Sequence, residues 1–380
     1  MSNSNSLKLQ KQWSSRPADQ CFESFEEVHK YNLEKQSLTR FATVNLGELS
    51  VKAIDDDKDI ALEACGKELT LTNYSFSKLA ELSNLSPEML RKLPAPMVCD
   101  VLNYGMRNLG ANSVDSENLE AWETDQSGRA VNTNAKLIYE SNGSDILKTV
   151  TGPNYHWLSD SVLSKFMLDL AGEFNLLPAP KTTNGDVNHR GLYAGPSDCF
   201  LFASDMDKPV LTFADSPIYR GIMIWNGFGR TFGGVGFDFA GICCNYSIHQ
   251  YTEKFSFNLR HSAKFKEKFN PLEIIQQARE YFNGSTVDHE NFLRLATTKV
   301  LGDSDDTVKE TLLKLREPLL GKKTVDHIIE LAPMQEKIYG NPRTVWAIGN
   351  VITELGRDRP TASARSGYME AAKSVFAMAQ

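Results

Sequence analysis

The sequence has no long run of apolar residues and little cysteine. No uninterrupted apolar stretch in its 380 residues approaches the roughly 18 that a membrane-spanning helix needs. Six cysteines are too few for a disulfide scaffold in a chain of this length, so we expect reduced thiols. Residues 1–12 are polar and lack the apolar segment of a secretory signal. These absences predict a cytoplasmic protein without a membrane-bound part.

Motifs of several enzyme classes are missing as well. The sequence contains no Gly-x-Ser-x-Gly, His-Glu-x-x-His or protein-kinase signature, and no glycine-rich loop that ends in Gly-Lys-Ser/Thr. Glycines are frequent from Gly221 to Gly241, but they do not complete a dinucleotide-binding fingerprint. We expect them to form a mobile or tightly bent loop over 226–236. The chain is therefore predicted to use no cofactor and to act by binding rather than by catalysis.

Two groups of residues have side chains of the types that bind metals. The first is a set of aspartates whose spacing is typical of turns between strands, with a Mg²⁺-dependent nuclease site as the alternative: Asp198, Asp205, Asp207 and Asp215. The second is the adjacent pair Cys243 and Cys244. Adjacent thiols rarely serve one tetrahedral site, so buried structural cysteines are favoured. The alternatives are a metal site with His249 and His261, or a cysteine nucleophile with His249. On balance no metal site is predicted.

Hydrophobic periodicity predicts an α+β fold. Alternating apolar residues indicate a small antiparallel meander between Thr39 and Leu71, and further strands follow from Ala135. From Pro271 onward, apolar residues recur at helical spacing. We expect an antiparallel β-sheet core with packed helices and an α-helical C-terminal part. The predicted organisation is a flexible tail at 1–15, a β-meander with helices at 16–106, a linker or long loop at 107–134, a mainly antiparallel β region at 135–270 and a helical region at 271–380.

Charged and aromatic residues are unevenly distributed. The formal net charge is −7, and residues 1–140 carry 15 basic and 21 acidic groups. Residues 219–269 have the opposite balance, with seven basic and three acidic groups, and 12 of these 51 residues are aromatic. Cations neutralise phosphates and rings stack on bases, so this pattern is typical of a single-stranded nucleic-acid site. The alternative is a hydrophobic sheet core with charged residues on its outer face.

The predicted nucleic-acid-binding residues come from this aromatic and basic segment. Basic side chains would contact phosphates, and aromatic side chains would offer stacking surfaces. The candidates are Arg220, Trp225, Phe228, Arg230, Tyr251, Lys254, Arg260, His261, Lys264 and Lys266.

Short motifs spread along the chain resemble those of a known family. They include Leu71-Thr72-Asn73-Tyr74-Ser75-Phe76, Thr151-Gly152-Pro153-Asn154-Tyr155, Arg220-Gly221, Trp225-Asn226, Arg260-His261 and Trp346 with Asn350. Together they resemble a widespread family of phage- and plasmid-borne proteins of unknown function, over about Arg16 to Leu355. In that family an Asn-Ser-Glu pattern follows the tryptophan, whereas this chain has Asn226-Gly227-Phe228, so no role of that glutamate carries over. In fold, a meander with packed helices is also similar to single-strand annealing proteins.

The resemblance implies a role in the metabolism of mobile DNA. We expect a non-enzymatic protein, a homo-oligomer, that binds single-stranded DNA and promotes annealing or recombination. The acidic first third fits an alternative function, in which a phage-encoded protein binds and inhibits a host defence system. The expected partners are therefore single-stranded DNA or a host protein.

Overall fold

The fold is α+β, as predicted. A computed structural model describes residues 20–107, 134–178, 192–213, 216–228, 230–239, 256–261, 270–357 and 362–379. Within these ranges, two β-sheets carry helices on their faces, and a helical C-terminal part follows them.

The first sheet combines four strands from residues 39–71 with two strands from residues 134–151. Its strand order is β1-β5-β6-β4-β3-β2, and neighbouring strands are antiparallel except for the parallel pair β4 and β6. The strands are β1 (Thr39–Asn45), β2 (Ser50–Ile54), β3 (Asp59–Ala64), β4 (Lys67–Leu71), β5 (Asn134–Asn142) and β6 (Ser144–Thr151). The predicted meander is thus completed by two strands that lie more than 60 residues further along the chain.

One face of the first sheet packs against three helices, α2 (Asn73–Leu82), α3 (Pro87–Leu90) and α4 (Ala95–Arg107). Apolar residues at helical spacing, such as Phe76 and Leu79, meet sheet residues such as Leu62 and Leu147 in one buried cluster. Thr72 begins α2 with a capping box that it forms with Ser75.

The second sheet has the order β12-β11-β10-β9, and both β7 and β8 pair with the outer side of β9. Its strands are β7 (Leu177–Pro178), β8 (Leu192–Ala194), β9 (Asp198–Phe213), β10 (Ser216–Gly227), β11 (Arg230–Phe239) and β12 (Ser256–Arg260). One face of this sheet packs against α1 (Phe25–Leu38), α5 (Asp160–Phe174) and α6 (Pro271–Asn283).

The remaining helices form the C-terminal part around Trp346. They are α7 (Val287–Thr298), α8 (Asp305–Lys314), α9 (Lys322–Leu331), α10 (Glu336–Tyr339), α11 (Val345–Arg357) and α12 (Ala362–Ala377). The indole of Trp346 lies 6.1 Å from the ring of Phe376 and 6.2 Å from that of Phe213 at the tip of β9. The β9–β10 hairpin therefore extends into the helical core.

Two expectations about the middle of the chain differ from the structure. The predicted loop over 226–236 is mostly strand, because Gly233 lies opposite Ile224 and Gly234 lies opposite Met223 in the β10–β11 register. A glycine in a strand leaves room beside bulky neighbours, and sequence alone does not separate this use from a turn. The expected boundary at 134/135 is also crossed, since β5 and β6 lie inside the first sheet.

None of the helices in the described ranges is long and apolar enough to cross a membrane.

Candidate functional site: a polar pocket between the two sheets

A pocket with a polar floor lies where the two sheets approach each other. Its empty volume is about 360 Å³, part of which is open to solvent. The side chains and backbone that line it come from α1, both sheets and the loops before α5 and β9: Lys35, Thr39, Ile138, Lys148, Trp157, Asp160, Pro196, Ser197, Asn226, Gly227 and Phe228.

The first ion pair of the floor joins α1 to the start of α5. Lys35 Nζ lies 2.8 Å from Asp160 Oδ2 and 2.6 Å from the carbonyl oxygen of Gly195. Both side chains are nearly nine-tenths buried. Burial by itself would lower the pKa of Lys35, but the charge of Asp160 and its hydrogen bond outweigh burial, and the pKa is raised. Lys35 therefore stays a cation.

The second ion pair joins two neighbouring strands of the first sheet. Lys148 on β6 pairs with Glu140 on β5, and only 7% of the Lys148 side chain is exposed. Burial lowers the pKa of Lys148, the hydrogen bond to Glu140 opposes this, and the net shift is downward. The two pairs together bring two cations and two carboxylates, so the floor is balanced in charge.

A directed chain of hydrogen bonds runs from the pocket floor into the second sheet. Asn226 Nδ2 donates to Asp160 Oδ1 at 2.7 Å, and the Thr231 hydroxyl donates to Asn226 Oδ1. Because the Thr231 proton is used there, its oxygen accepts from His261 Nε2 at 2.7 Å. His261 Nδ1 then accepts from the Tyr155 hydroxyl at 2.8 Å. Each group donates toward Asp160, which fixes the histidine tautomer.

The neutral form of His261 suits this chain. Only 3% of His261 is exposed, and burial lowers its pKa from 6.5 to about 4. A hydrogen bond to the backbone of Phe228 opposes the shift but does not cancel it. The ring is therefore uncharged at neutral pH, with one nitrogen donating and one accepting.

Local turns place these residues around the pocket. The turn chemistry of 151–154 closes with a hydrogen bond from Tyr155 N to Gly152 O at 3.1 Å and leads the chain past Trp157. Ser159 then caps α5, its side chain accepting from Ser161 N, so Asp160 occupies the first helical position. An acidic residue is favoured there by the helix dipole.

Aromatic rings stand on two sides of the pocket. The Trp157 ring lies 5.4 Å from that of Phe41, which is 49% exposed and lies opposite Ile138 in the β1–β5 register. On the other side, the Phe228 ring lies 5.4 Å from that of Tyr74. Trp157 and Phe228 therefore bring aromatic side chains to the lining of the pocket.

Three of the predicted nucleic-acid-binding residues lie in the interior, which corrects the prediction. Arg220 is 2% exposed, donates to the carbonyls of Tyr281 and Gly284 and pairs with Asp205 at 3.3 Å, so its guanidinium does not reach solvent. Trp225 is 8% exposed in an aromatic cluster on the second face of the sheet. His261 is likewise engaged inside the protein. For these three, the alternative of a sheet core is the better interpretation.

Three other predicted residues lie at the pocket end of the second sheet. Arg260 is exposed at the end of β12, and the register places Arg230 directly opposite it on β11. Phe228 is half-buried and lines the pocket. The remaining predicted residues lie outside the described residues: Tyr251, Lys254, Lys264 and Lys266.

The metal-ligating residue types are placed as follows. Asp205 is buried in mid-strand with Arg220, and Asp207 is exposed and accepts from Asn175 Nδ2 at 2.5 Å. Asp198 is buried at the start of β9. In the described ranges, no three His, Cys, Asp or Glu side chains are grouped as metal ligands would be. Outside those ranges lie Asp215, Cys243, Cys244 and His249.

Sequence reasoning missed the residues that form the pocket floor. Lys35 lies more than 100 residues before Lys148 and Asp160, and all three lie outside the segment of unusual composition. One signal was present, because Lys148 interrupts an otherwise uncharged run, from Ile146 to Val150, that predicts a strand. A charged residue at an inward strand position is buried only with a partner.

The chain matches no family model, no curated protein and no solved structure. The resemblance to phage- and plasmid-borne proteins therefore stays a prediction from the motifs.

Proposed function

We propose that the protein binds single-stranded DNA and promotes annealing or recombination without catalysis, as an accessory protein of a phage or plasmid. The observation that carries the proposal is the pair Arg260 and Arg230, which lie directly opposite each other at the pocket end of β12 and β11. The exposed Arg260 can contact a phosphate of a bound strand, which then releases its counterions.

The surroundings of the arginine pair also support a nucleic-acid site. His261 follows Arg260 and is connected through Thr231 to Asn226, which lines the pocket. Trp157 and Phe228 line the same pocket, and Phe228 lies two residues before β11 begins, at the sheet end that carries Arg260. Cations beside aromatic rings are the elements that bind single strands without reading sequence.

Fluorescence anisotropy with a labelled oligonucleotide tests this proposal. We expect binding at low ionic strength that weakens steadily as salt is raised. Size-exclusion chromatography with light scattering, run with and without the oligonucleotide, then reports whether a ring or filament of several copies forms. Absence of salt-dependent binding at low ionic strength would remove the proposal.

A protein partner, such as a host defence protein that the chain inhibits, is the second candidate. Helix α4 leaves Met97 50% exposed and Tyr104 72% exposed, seven residues apart and so on one face. Exposed apolar side chains of this size mark protein-binding surfaces when they are contiguous. Co-purification from infected cells, compared between the native chain and Met97→Glu, tests this candidate. Recovery of the same proteins with both chains would count against it.

A further inference from the structure

The chemistry of the pocket restricts the class of ligand that fits it. Lys35, Lys148 and Asp160 line the pocket, and each lysine is paired with a carboxylate, Lys35 with Asp160 and Lys148 with Glu140 outside the lining. A ligand with a net charge would lose its hydration there without a counter-charge left to meet it. The floor therefore favours an uncharged but polar ligand.

Hydrogen-bonding groups of both kinds remain available at the floor. Among the described residues, Glu140 is the one partner of Lys148 Nζ, so further N–H groups of this ammonium can donate. The Ser197 hydroxyl, which lines the pocket, has no hydrogen-bond partner in the described ranges. The Thr39 oxygen, whose proton is donated to Lys35 O, can accept. A ligand that carries both hydrogen-bond donors and acceptors can therefore form hydrogen bonds with these groups.

The walls favour a flat ligand. Trp157 and Phe228 line the pocket, and their rings lie 5.4 Å from the rings of Phe41 and Tyr74, respectively. Aromatic walls gain most from a ring that stacks on them. A nucleobase has these properties, because it is flat and uncharged and carries both hydrogen-bond donors and acceptors.

We propose that this pocket seats one unstacked nucleobase, with its edge toward Lys148 and Ser197 and its faces toward Trp157 and Phe228. Where the base belongs to a bound strand of DNA, this inference rests on the proposed function. A base of the strand would turn into the pocket, while its phosphates would lie toward Arg260. A free nucleoside has the same chemistry and is the other source of such a base.

A pocket-filling substitution tests the inference with a strand. Ser197→Trp fills the pocket from its rim, and Ser144→Trp, at an exposed position of the β5–β6 hairpin, is the matched control. Affinities are measured by anisotropy for a 20-nucleotide thymidine strand and for an abasic strand of equal length and charge. We expect the native chain and the control to prefer the thymidine strand by about tenfold, and Ser197→Trp to lose this preference but keep its affinity for the abasic strand.

Two outcomes would overturn the inference. One is equal affinity of the native chain for the two strands, and the other is an unchanged preference in Ser197→Trp. Either leaves the proposed function intact, because backbone binding is measured separately with the abasic strand. Circular dichroism of both variants verifies that they are folded.

Free nucleosides test the pocket if no strand binds and the proposed function fails. Saturation-transfer NMR is recorded with thymidine and with adenosine on the native chain and on both variants. Transfer that is present in the native chain and in Ser144→Trp and lost in Ser197→Trp supports the pocket. Lack of transfer to either nucleoside, or equal transfer in all three proteins, overturns it.

Discussion

Two arginines of the second sheet show how one residue type takes opposite roles. Arg220 is buried and held by Asp205 and by the carbonyls that end α6, whereas Arg260 is exposed at the end of an edge strand. Both are basic residues within the same aromatic segment, so the sequence gives no basis for assigning them different roles. Their difference arises from the tertiary partners that each one meets.

Removal of the buried arginine is expected to destabilise the protein. In Arg220→Met the carboxylate of Asp205 stays buried without its partner, and the free energy of unfolding is expected to fall by about 3–5 kcal/mol. Urea denaturation measures this. Arg260→Ala, a change at the surface, should alter the stability by less than about 0.5 kcal/mol. Equal stability of Arg220→Met and the native chain would contradict the assignment of Arg220 to the core.

Acid is expected to weaken the fold through His261. Burial holds the folded-state pKa at about 4, below the ordinary value of 6.5, so the unfolded chain binds a proton first as the pH falls. The contribution of this group is therefore complete above pH 6.5 and is lost between about 6.5 and 4, by about 3 kcal/mol in total. Chemical denaturation at a series of pH values measures the loss.

His261→Gln is the comparison for that pH series, because glutamine can hydrogen bond but does not titrate. We expect a smaller fall in the free energy of unfolding between pH 6.5 and pH 4 in the variant than in the native chain. Identical pH profiles for the two proteins would show that His261 is not the group responsible.

At the scale of elements, most strands and helices followed from local signals. Ser86 and Pro87 predict a helix start, and α3 begins there. Helix α1 was missed, because its buried stripe includes the polar residue Asn32 beside Phe25 and Val28. An amphipathic pattern weakened in this way is hard to recognise. Because α1 was missed, Lys35 on this helix was missed as well.

Close contact between α11 and α12 depends on one glycine. A Cβ at Gly349 would lie 2.3 Å from Cζ of Phe376, whose ring packs on Trp346. Gly349→Ala is therefore expected to lower the free energy of unfolding by about 1–3 kcal/mol through overpacking. The matched control is Gly172→Ala in α5, where an added Cβ would meet no atom of another element within 4 Å and alanine should stabilise the helix by about 0.5–1 kcal/mol. Thermal unfolding compares the two, and the same sign for both would contradict the packing described here.

At the scale of the whole molecule, the pocket exists only because distant parts of the chain meet. Its floor combines α1, β6, the start of α5 and β10, and no local composition reports such a meeting. The predicted basic and aromatic segment supplied Phe228 to the pocket and Arg260 to the surface beside it. Within that segment, the sequence alone could not separate side chains that face the core from those that face solvent.

The net charge of −7 restricts where on the protein a nucleic acid can bind. A chain of this charge repels a polyanion at long range, so attraction has to come from a confined cationic area. Among the described residues, the exposed Arg260 at the end of β12 is the candidate that the proposal uses. Binding is therefore expected to depend strongly on single residues there.

The most direct test of the central claim is the salt dependence of single-stranded DNA binding by three proteins. Anisotropy titrations at several salt concentrations compare the native chain with Arg260→Ala and with Arg294→Ala, an exposed arginine of α7 that serves as control. We expect Arg260→Ala to bind more weakly and to reduce the slope of log affinity against log salt by about 0.7, the value for one phosphate contact on a single strand. Arg294→Ala should match the native chain. Equal affinities and slopes for Arg260→Ala and the native chain would contradict the account.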